Sequence, residues 1–360
     1  MSKVKIEGNP SGTGTLTIAA PNTNTDRTLN LPDVAGTLGL STTGLGLFYK
    51  SSPREVLFTK TGAGTAETQS QLYVEVNGLI LSIASGTSIT MPGSFTTGAD
   101  YAIWCETDGT LTASTNFVTP PTANARQIGG FHYAPGSCST GTSGGNSTPQ
   151  INEYSFWDLK YRPACPDPRG MAVVAGGFYS DIYLLNTDPD TNGTSSYNKT
   201  IADFSSPPKI PAAFGGNGST TYGSLTWFEA MEALAAYGKR APNQQEFMAL
   251  AYGVTEETSR GLDPGTTGLD AARTSKWGIM QATGNLSVWG NEMGGPYDDS
   301  PFDENTGGRG ATVNGPNAAK FGSNWANNSL AGSRSSVWGV PEGSSSFTSA
   351  RGVCDLLILE

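Results

Sequence analysis

Residues 321–360 read FGSNWANNSLAGSRSSVWGVPEGSSSFTSARGVCDLLILE. From Phe321 to Ala350 neither a helical nor a strand period can be followed, and only the terminal VCDLLILE reads as a buried strand. A long aperiodic stretch must satisfy its backbone groups against other parts of the chain. Arg334 and Arg351 each carry five donors in a rigid fork, suited to pinning loop carbonyls or carboxylates. Trp325 and Trp338 stand among small residues, where an indole serves either as packing or as an exposed anchor. Packing is the default for every tryptophan here, Trp227 and Trp289 included. Trp325 and Trp338 are the better anchor candidates.

Upstream, two segments carry start and stop signals for helices. Thr226-Trp-Phe-Glu229 has the spacing of a capping box and opens WFEAMEALAAY, which stops at Gly238. Asn243-Gln-Gln-Glu246 repeats the logic after Pro242 and opens QQEFMALAY, which stops at Gly253. Between 49 and 135, LYVEVNGLILSIA and ADYAIWCETDGTLTAS alternate apolar and polar residues around NG and DG turns, predicting β-hairpins in a small β domain. The stretch PGSCSTGTSGGNSTPQ that follows has linker composition, which places a boundary near 136. The expected organisation is an N-terminal segment at 1–48, a small β domain at 49–135 and a larger domain at 136–360.

The first 48 residues hold short period-two runs, Leu16–Ile18 and Leu29–Leu31, between Gly, Asn and Pro punctuation. Such strands are too short to bury a core alone, and identical chains could supply the missing neighbours, so a homotrimer is expected. The stretch GTGTLTIAAPNTNTDRTLNLPDVAGTLGL also resembles the N-terminal segment of many phage tail-fibre proteins, which implies attachment to the tail or baseplate.

The chain has 360 residues, 14% charged, with 47 Gly, 22 Pro and a net charge of −10. The length suits two or three domains, and the glycine content suits turn-rich β structure. No Lys/Arg cluster could neutralise a run of phosphates, which argues against nucleic acid and against an anionic membrane surface. No leader-like apolar region and no stretch of about 18 apolar residues is seen, so neither export nor membrane insertion is expected. Cys105, Cys138, Cys165 and Cys354 lack metal-type spacing and read as reduced structural thiols, a Cys165–Cys354 contact being the one pairing considered.

Several segments resemble the variable proteins of diversity-generating retroelements, a family that includes the major tropism determinants of phages. The matching pieces, in the family's order, are IGGFHY (Ile128–Tyr133), SFWDLKYRPACPDPRGM (Ser155–Met171), GGFYSDIYLLN (Gly176–Asn186), AYGKRAPNQQEFMALAYGVTE (Ala236–Glu256) and GIMQATGNLSVWGNE (Gly278–Glu292). The C-terminal run resembles the family's variable region, an AGSR and Trp framework closed by ARGVCD. The resemblance implies an α+β chain whose C-terminal domain has a C-type-lectin-like fold, of the kind formylglycine-generating enzymes share, preceded by β-rich tail-fibre domains. It implies a phage receptor-binding protein at the tail-fibre tip. That protein would grip a bacterial cell-surface receptor, protein or glycan, as part of a virion assembled in the host cytoplasm.

Carried over position by position, the framework would be Phe321, Gly322, Trp325, Gly332, Ser333, Arg334, Trp338, Ala350, Arg351, Gly352 and Asp355. The variable, ligand-binding positions would be Ala326, Asn327, Leu330, Val337, Gly339, Val340, Ser344, Ser346 and Phe347. The implied mechanism of variation is adenine-directed mutagenesis of AAC-like codons. Every residue type at these positions is reachable from AAC by changing its first two bases. Glu342 is not, which predicts that it is fixed.

Rival readings follow from the same residues. An oxidase of the formylglycine-generating type would share the fold, but it needs two neighbouring cysteines late in the chain, where only Cys354 stands. A fibre-borne glycan-binding or glycan-hydrolysing protein would draw on Asp298, Asp299, Asp303 and Glu304. A solvated acidic loop explains them more simply, and their spacing matches no EF-hand, although a structural divalent cation there is conceivable. His132, in the apolar setting GGFHY, reads as a satisfied structural histidine. No Gly-Lys-Ser/Thr follows a Gly-rich stretch, so no phosphate loop is present. The expectation is a non-enzymatic adhesin without a cofactor.

Overall fold

In the computed structural model, which describes residues 46–294 and 316–359, the two predicted turn dipeptides close hairpins. The chain opens with β1 (Phe48–Lys50), β2 (Phe58–Gly62), β3 (Thr65–Thr68), β4 (Leu72–Val76) and β5 (Leu79–Ile83). Asn77 (φ 49°) and Gly78 (φ 81°) occupy the left-handed region that a two-residue hairpin turn requires. That turn fixes the register Val76↔Leu79 and Leu72↔Ile83. Leu72, Val74 and Val76 point inward with no exposed surface, so the period-two pattern buries one face. Then come β6 (Ile89–Thr90), β7 (Asp100–Cys105), β8 (Leu111–Ser114), β9 (Arg126–Ala134), β10 (Gln150–Ile151) and β11 (Trp157–Asp158). β7 is central, antiparallel to both β8 and β9. The aromatic residues Phe58, Tyr101, Phe131 and Phe156 fill the core between the sheets.

The boundary expected near 136 does not separate two bodies. β10 and β11 lie beyond it, and both pair with β9. The Gly/Ser/Thr stretch before β10 is packed rather than free. Ser139 N–H donates to Ser275 O (3.0 Å), Gly144 N–H to Gly253 O (2.9 Å) and Gly145 N–H to Ala271 O (2.8 Å). A Cβ on Gly144 would stand 2.3 Å from Ala271 O. Backbone packed against backbone needs the same small residues as a linker, so composition could not tell the two apart. The described residues all fall in one compact unit. A buried ion pair ties its first strand to β11, with Lys50 Nζ 2.7 Å from Asp158 Oδ2 and neither side chain exposed. Of the expected 1–48 segment only the last three residues are described; Leu16–Ile18 and Leu29–Leu31 lie outside the described residues.

The remainder is β-rich with few helices, so the expected α+β character is weighted to strands. Strands β12 (Tyr161–Pro163), β13 (Met171–Val174) and β14 (Phe178–Asp181) join the last strand in one sheet. Helices α1 (Pro189–Asn192), α2 (Trp227–Ala235) and α3 (Gln244–Leu250) lie between. Both capping boxes are formed: Glu229 accepts the Thr226 N–H (2.8 Å), Asn243 Oδ1 accepts the Glu246 N–H (2.8 Å) and Glu246 accepts the Asn243 N–H (3.0 Å). Gly238 (φ 68°) and Gly253 (φ 99°) turn the chain after the helices, as the stop signals predicted.

A second sheet holds β15 (Ser287–Gly294), β16 (Asn317–Phe321), β17 (Ser336–Gly339) and β18 (Thr348–Ser349), in the order β17-β16-β15-β18. The terminal strand β19 (Val353–Ile358) lies between β12 and β14. Its expected burial holds only for Val353 and Cys354, while Leu357, Ile358 and Leu359 are exposed. Among the described residues no helix is long and apolar enough to cross a membrane.

Candidate functional site

The C-terminal segment supplies both edge strands, β17 and β18, of the sheet ordered β17-β16-β15-β18. β17 is antiparallel to β16, with Val337 opposite Lys320 and Trp338 opposite Ala319. Alternation therefore sends Val337 and Gly339 to one face and Trp338 to the other. Val337 is 57% exposed and Trp338 43%. The loop before β17 carries Ala326, Asn327 and Leu330, all exposed, with Leu330 at 69%. The loop after it carries Val340 and Phe347, exposed, with Ser344 and Ser346 half-buried. Trp325 packs against Phe347 at 4.8 Å between ring centroids, the planes tilted by 35°, which brings the two loops together.

The backbone of these loops is held by residues outside them. Trp325 N–H donates to Asn285 O (2.8 Å), and Trp325 O accepts from Gly261 N–H (2.9 Å) and from the Ser259 hydroxyl (2.7 Å). Asn328 N–H donates to Ser259 Oγ (3.0 Å), and Glu257 N–H to Ala331 O (2.9 Å). Glu256 accepts from both the backbone and the hydroxyl of Ser333, at 2.8 and 2.6 Å. On the far side, Trp227 N–H donates to Pro341 O (2.9 Å) and Ser287 N–H to Phe347 O (2.8 Å). Ser259, Glu256 and Asn285 are thus supporting residues that the sequence did not reveal. Their partners stand dozens of positions away, and no local spacing marks such a contact.

Arg351 holds the backbone beneath, at the start of the last strand's approach. It is fully buried, and its guanidinium donates to the carbonyls of Asp181, Ile182, Met280 and Gln281 at 2.7 to 3.3 Å. Burial lowers its pKa to about 10. Next to it, Asp181 accepts from Gly352 N–H and pairs with Lys239 at 2.5 Å. The equivalent role expected of Arg334 is not found. Arg334 is exposed and makes no hydrogen bond among the described residues. It borders a groove of about 450 Å³ with Tyr252, Glu256 and Leu330. An arginine on a strand-to-strand loop reaches solvent where the AGSR backbone is already held by Glu256. Asp355 is exposed as well, 3.0 Å from Arg240.

Other predicted positions sort by what they touch. Phe321, Gly322, Gly332, Ala350 and Gly352 are buried. Gly339 faces Lys320, whose ammonium sits over the Trp289 ring at 4.1 Å and whose pKa burial lowers. Ser344 differs from its neighbours in bonding the framework, its hydroxyl accepting from Leu225 N–H (3.1 Å). Trp289 and Trp227 are packing residues. Trp289 is fully buried, and the Trp227 indole donates to Gly290 O (2.7 Å). The exposed Trp338 indole lies against Gly294, where a Cβ would stand 2.9 Å from the ring.

Of the groups considered for catalysis, His132 and Cys354 are engaged in structure. His132 bonds Asp100 through Nδ1 and the Tyr183 hydroxyl through Nε2, each at 3.0 Å, and is 1% exposed. Cys354 does have a neighbouring thiol, Cys165, but both lie beneath Tyr161, Met171 and Tyr179. Asp298, Asp299, Asp303 and Glu304 lie outside the described residues. Among the described residues no group of three or more His, Cys, Asp or Glu is arranged to hold a metal.

Comparison with known proteins agrees with this architecture. Residues 56–158, the span from before β2 to β11, match the family model described as the Mtd second domain. The tail fiber receptor-binding protein of Bordetella phage BPP-1 is 49% identical over 326 residues, covering 87% of this chain and 85% of that protein. The solved Major Tropism Determinant M1 Variant superposes with a TM-score of 0.85 at 48% identity, covering 88% of this chain and 87% of its own. The I1 Variant gives 0.85 at 49%, covering 87% of each. With nearly half its residues identical along most of its length and the same fold, the chain belongs to the major tropism determinant family.

Proposed function

We propose that this chain is a phage tail-fibre receptor-binding protein whose C-terminal segment forms a changeable adhesive surface on a C-type-lectin-like domain. One observation carries the reading. The loops around β17 are pinned through their backbone by Ser259, Glu256, Asn285, Trp227 and Ser287, while Ala326, Asn327, Leu330, Val337, Val340 and Phe347 face solvent. Of these, Phe347 packs on Trp325 and Asn327 bonds Ser323, whereas the side chains of Ala326, Leu330, Val337 and Val340 stand free to be exchanged, and a surface of that kind can be matched to a new receptor. Trp325 and Trp338 supply aromatic anchors within it.

On this reading the family's adenine-directed variation acts on the positions named, and the bound partner is a protein or glycan of the bacterial surface. A shallow site binds weakly by itself, and several copies on a fibre raise effective binding by about 10² to 10⁴. A homotrimer supplies those copies. Leu47, Tyr49, Tyr73 and Ile80 form an exposed apolar face on the β1–β4–β5 sheet that supports packing against further copies. The site works by contact alone, with neither catalysis nor a cofactor, and the N-terminal segment joins the tail or baseplate of a virion put together in the host cytoplasm.

Deep sequencing of the 3′ end of the gene across a population of the phage that carries it tests the reading. Adenine-derived substitutions confined to the codons of the variable positions are expected. Uniform sequence there would leave an ordinary glycan-binding fibre protein.

A further inference from the structure

We propose that Cys165 and Cys354 are a preorganised cross-strand pair that oxidises to a disulfide joining β12 to the C-terminal strand. The register Tyr161↔Ile358, Arg162↔Leu357 and Pro163↔Leu356 sets the two strands in antiparallel order. The bond from Ala164 N–H to Asp355 O (2.9 Å) carries that register one residue further, which places Cys165 opposite Cys354. Leu359 N–H donates to Lys160 O (2.8 Å). The bonded pairs on this ladder are therefore 160/359 and 164/355, and antiparallel ladders alternate, so Cys165 and Cys354 form a pair without backbone bonds. Such pairs bring Cα atoms to about 4.5 Å and Cβ atoms to their closest approach, within the range a disulfide spans. Both residues are free thiols, exposed by only 1% and 3%, in one cluster with Tyr161, Met171 and Tyr179.

The surroundings also favour a thiolate within the pair. Cys165 Sγ lies 3.2 Å from Asp167 O and 3.4 Å from Met171 Sδ, while contact with Cys165 lowers the pKa of Cys354 and the Lys239 ammonium acts in the same direction. A Cys354 thiolate attacks one sulfur of a low-molecular-weight disulfide and expels a thiolate. Cys165 then loses its proton and attacks the mixed disulfide at Cys354. One S–S bond is formed and one broken, two protons leave the cysteines, and two electrons reduce the reagent to two thiols. The product would fasten β19, which directly follows Arg351 and Gly352, to a strand almost two hundred positions earlier in the chain.

The test is peptide mass mapping of the full chain after incubation with oxidised glutathione. One sample is treated folded and another is refolded from denaturant in a glutathione buffer. Free thiols are alkylated in denaturant before digestion. A peptide pair linking Cys165 to Cys354, lighter by two hydrogen atoms, is expected in the refolded sample at least. It should disappear on reduction and in both Cys165→Ser and Cys354→Ser. Cys105 and Cys138, whose pKa values burial pushes up to about 11 and about 12, should be recovered alkylated. Oxidised protein should unfold at a temperature higher by several degrees than reduced protein, a difference absent from both variants. Recovery of Cys165 and Cys354 alkylated to the same extent as Cys105 and Cys138 after oxidative refolding would overturn the proposal. So would linkage of either residue to a different cysteine.

Discussion

Two glycines of the C-terminal segment meet different surroundings. Gly322 has φ 79°, and a Cβ there would stand 2.7 Å from the Phe247 ring in the core. Gly339 would meet the far end of the Lys320 side chain at 2.6 Å, which can swing aside. Gly322→Ala is expected to destabilise by about 2 kcal/mol or more, and Gly339→Ser by less than about 1 kcal/mol, in chemical denaturation. Arg351 faces a harsher constraint, because four carbonyls depend on one planar fork. Arg351→Lys keeps a charge but loses the fork, and a loss of about 3 kcal/mol is expected by the same measurement. The two arginines also mark what residue type alone conveys. Each was suited to pinning carbonyls, and burial decides between them. Burial is a property of the whole fold, which the AGSR and ARGVCD motifs do not contain.

At the scale of elements, local rules carried furthest where the signal is local. Asn77-Gly78 set a hairpin register, and Thr226/Glu229 and Asn243/Glu246 opened α2 and α3 where their spacing placed them. Asn243→Ala removes the acceptor of the Glu246 N–H and should cost about 1 kcal/mol in thermal denaturation. Elements made by distant pairing were not legible in the same way. β18 is two residues long and parallel to β15, and no period of the sequence announces it. The stretch before β10 has linker composition and yet lies against Gly253, Ala271 and Ser275. The positions expected to vary were placed from the resemblance around the Trp and AGSR framework, which is local, while the residues that hold their loops, Ser259 and Glu256, come from the segment after α3.

For the whole molecule, the exposed row Leu47, Tyr49, Tyr73 and Ile80 is apolar surface that association would remove from water. Light scattering on the full chain should give the mass of a trimer, and a stable monomer would contradict that expectation. The central claim concerns the division of labour in residues 321–359, where the backbone is fixed by partners distant in the chain and the exposed side chains are free to change. The most direct measurement is made on one variant carrying Asn327→Ala, Leu330→Ala and Val337→Ala, with thermal unfolding and attachment to host bacteria read side by side. The account predicts a Tm within a few degrees of the parent, since the side-chain bond it loses is that of Asn327 to Ser323, together with at least a tenfold fall in attachment. Collapse of the fold, or attachment at the parental level, would contradict it.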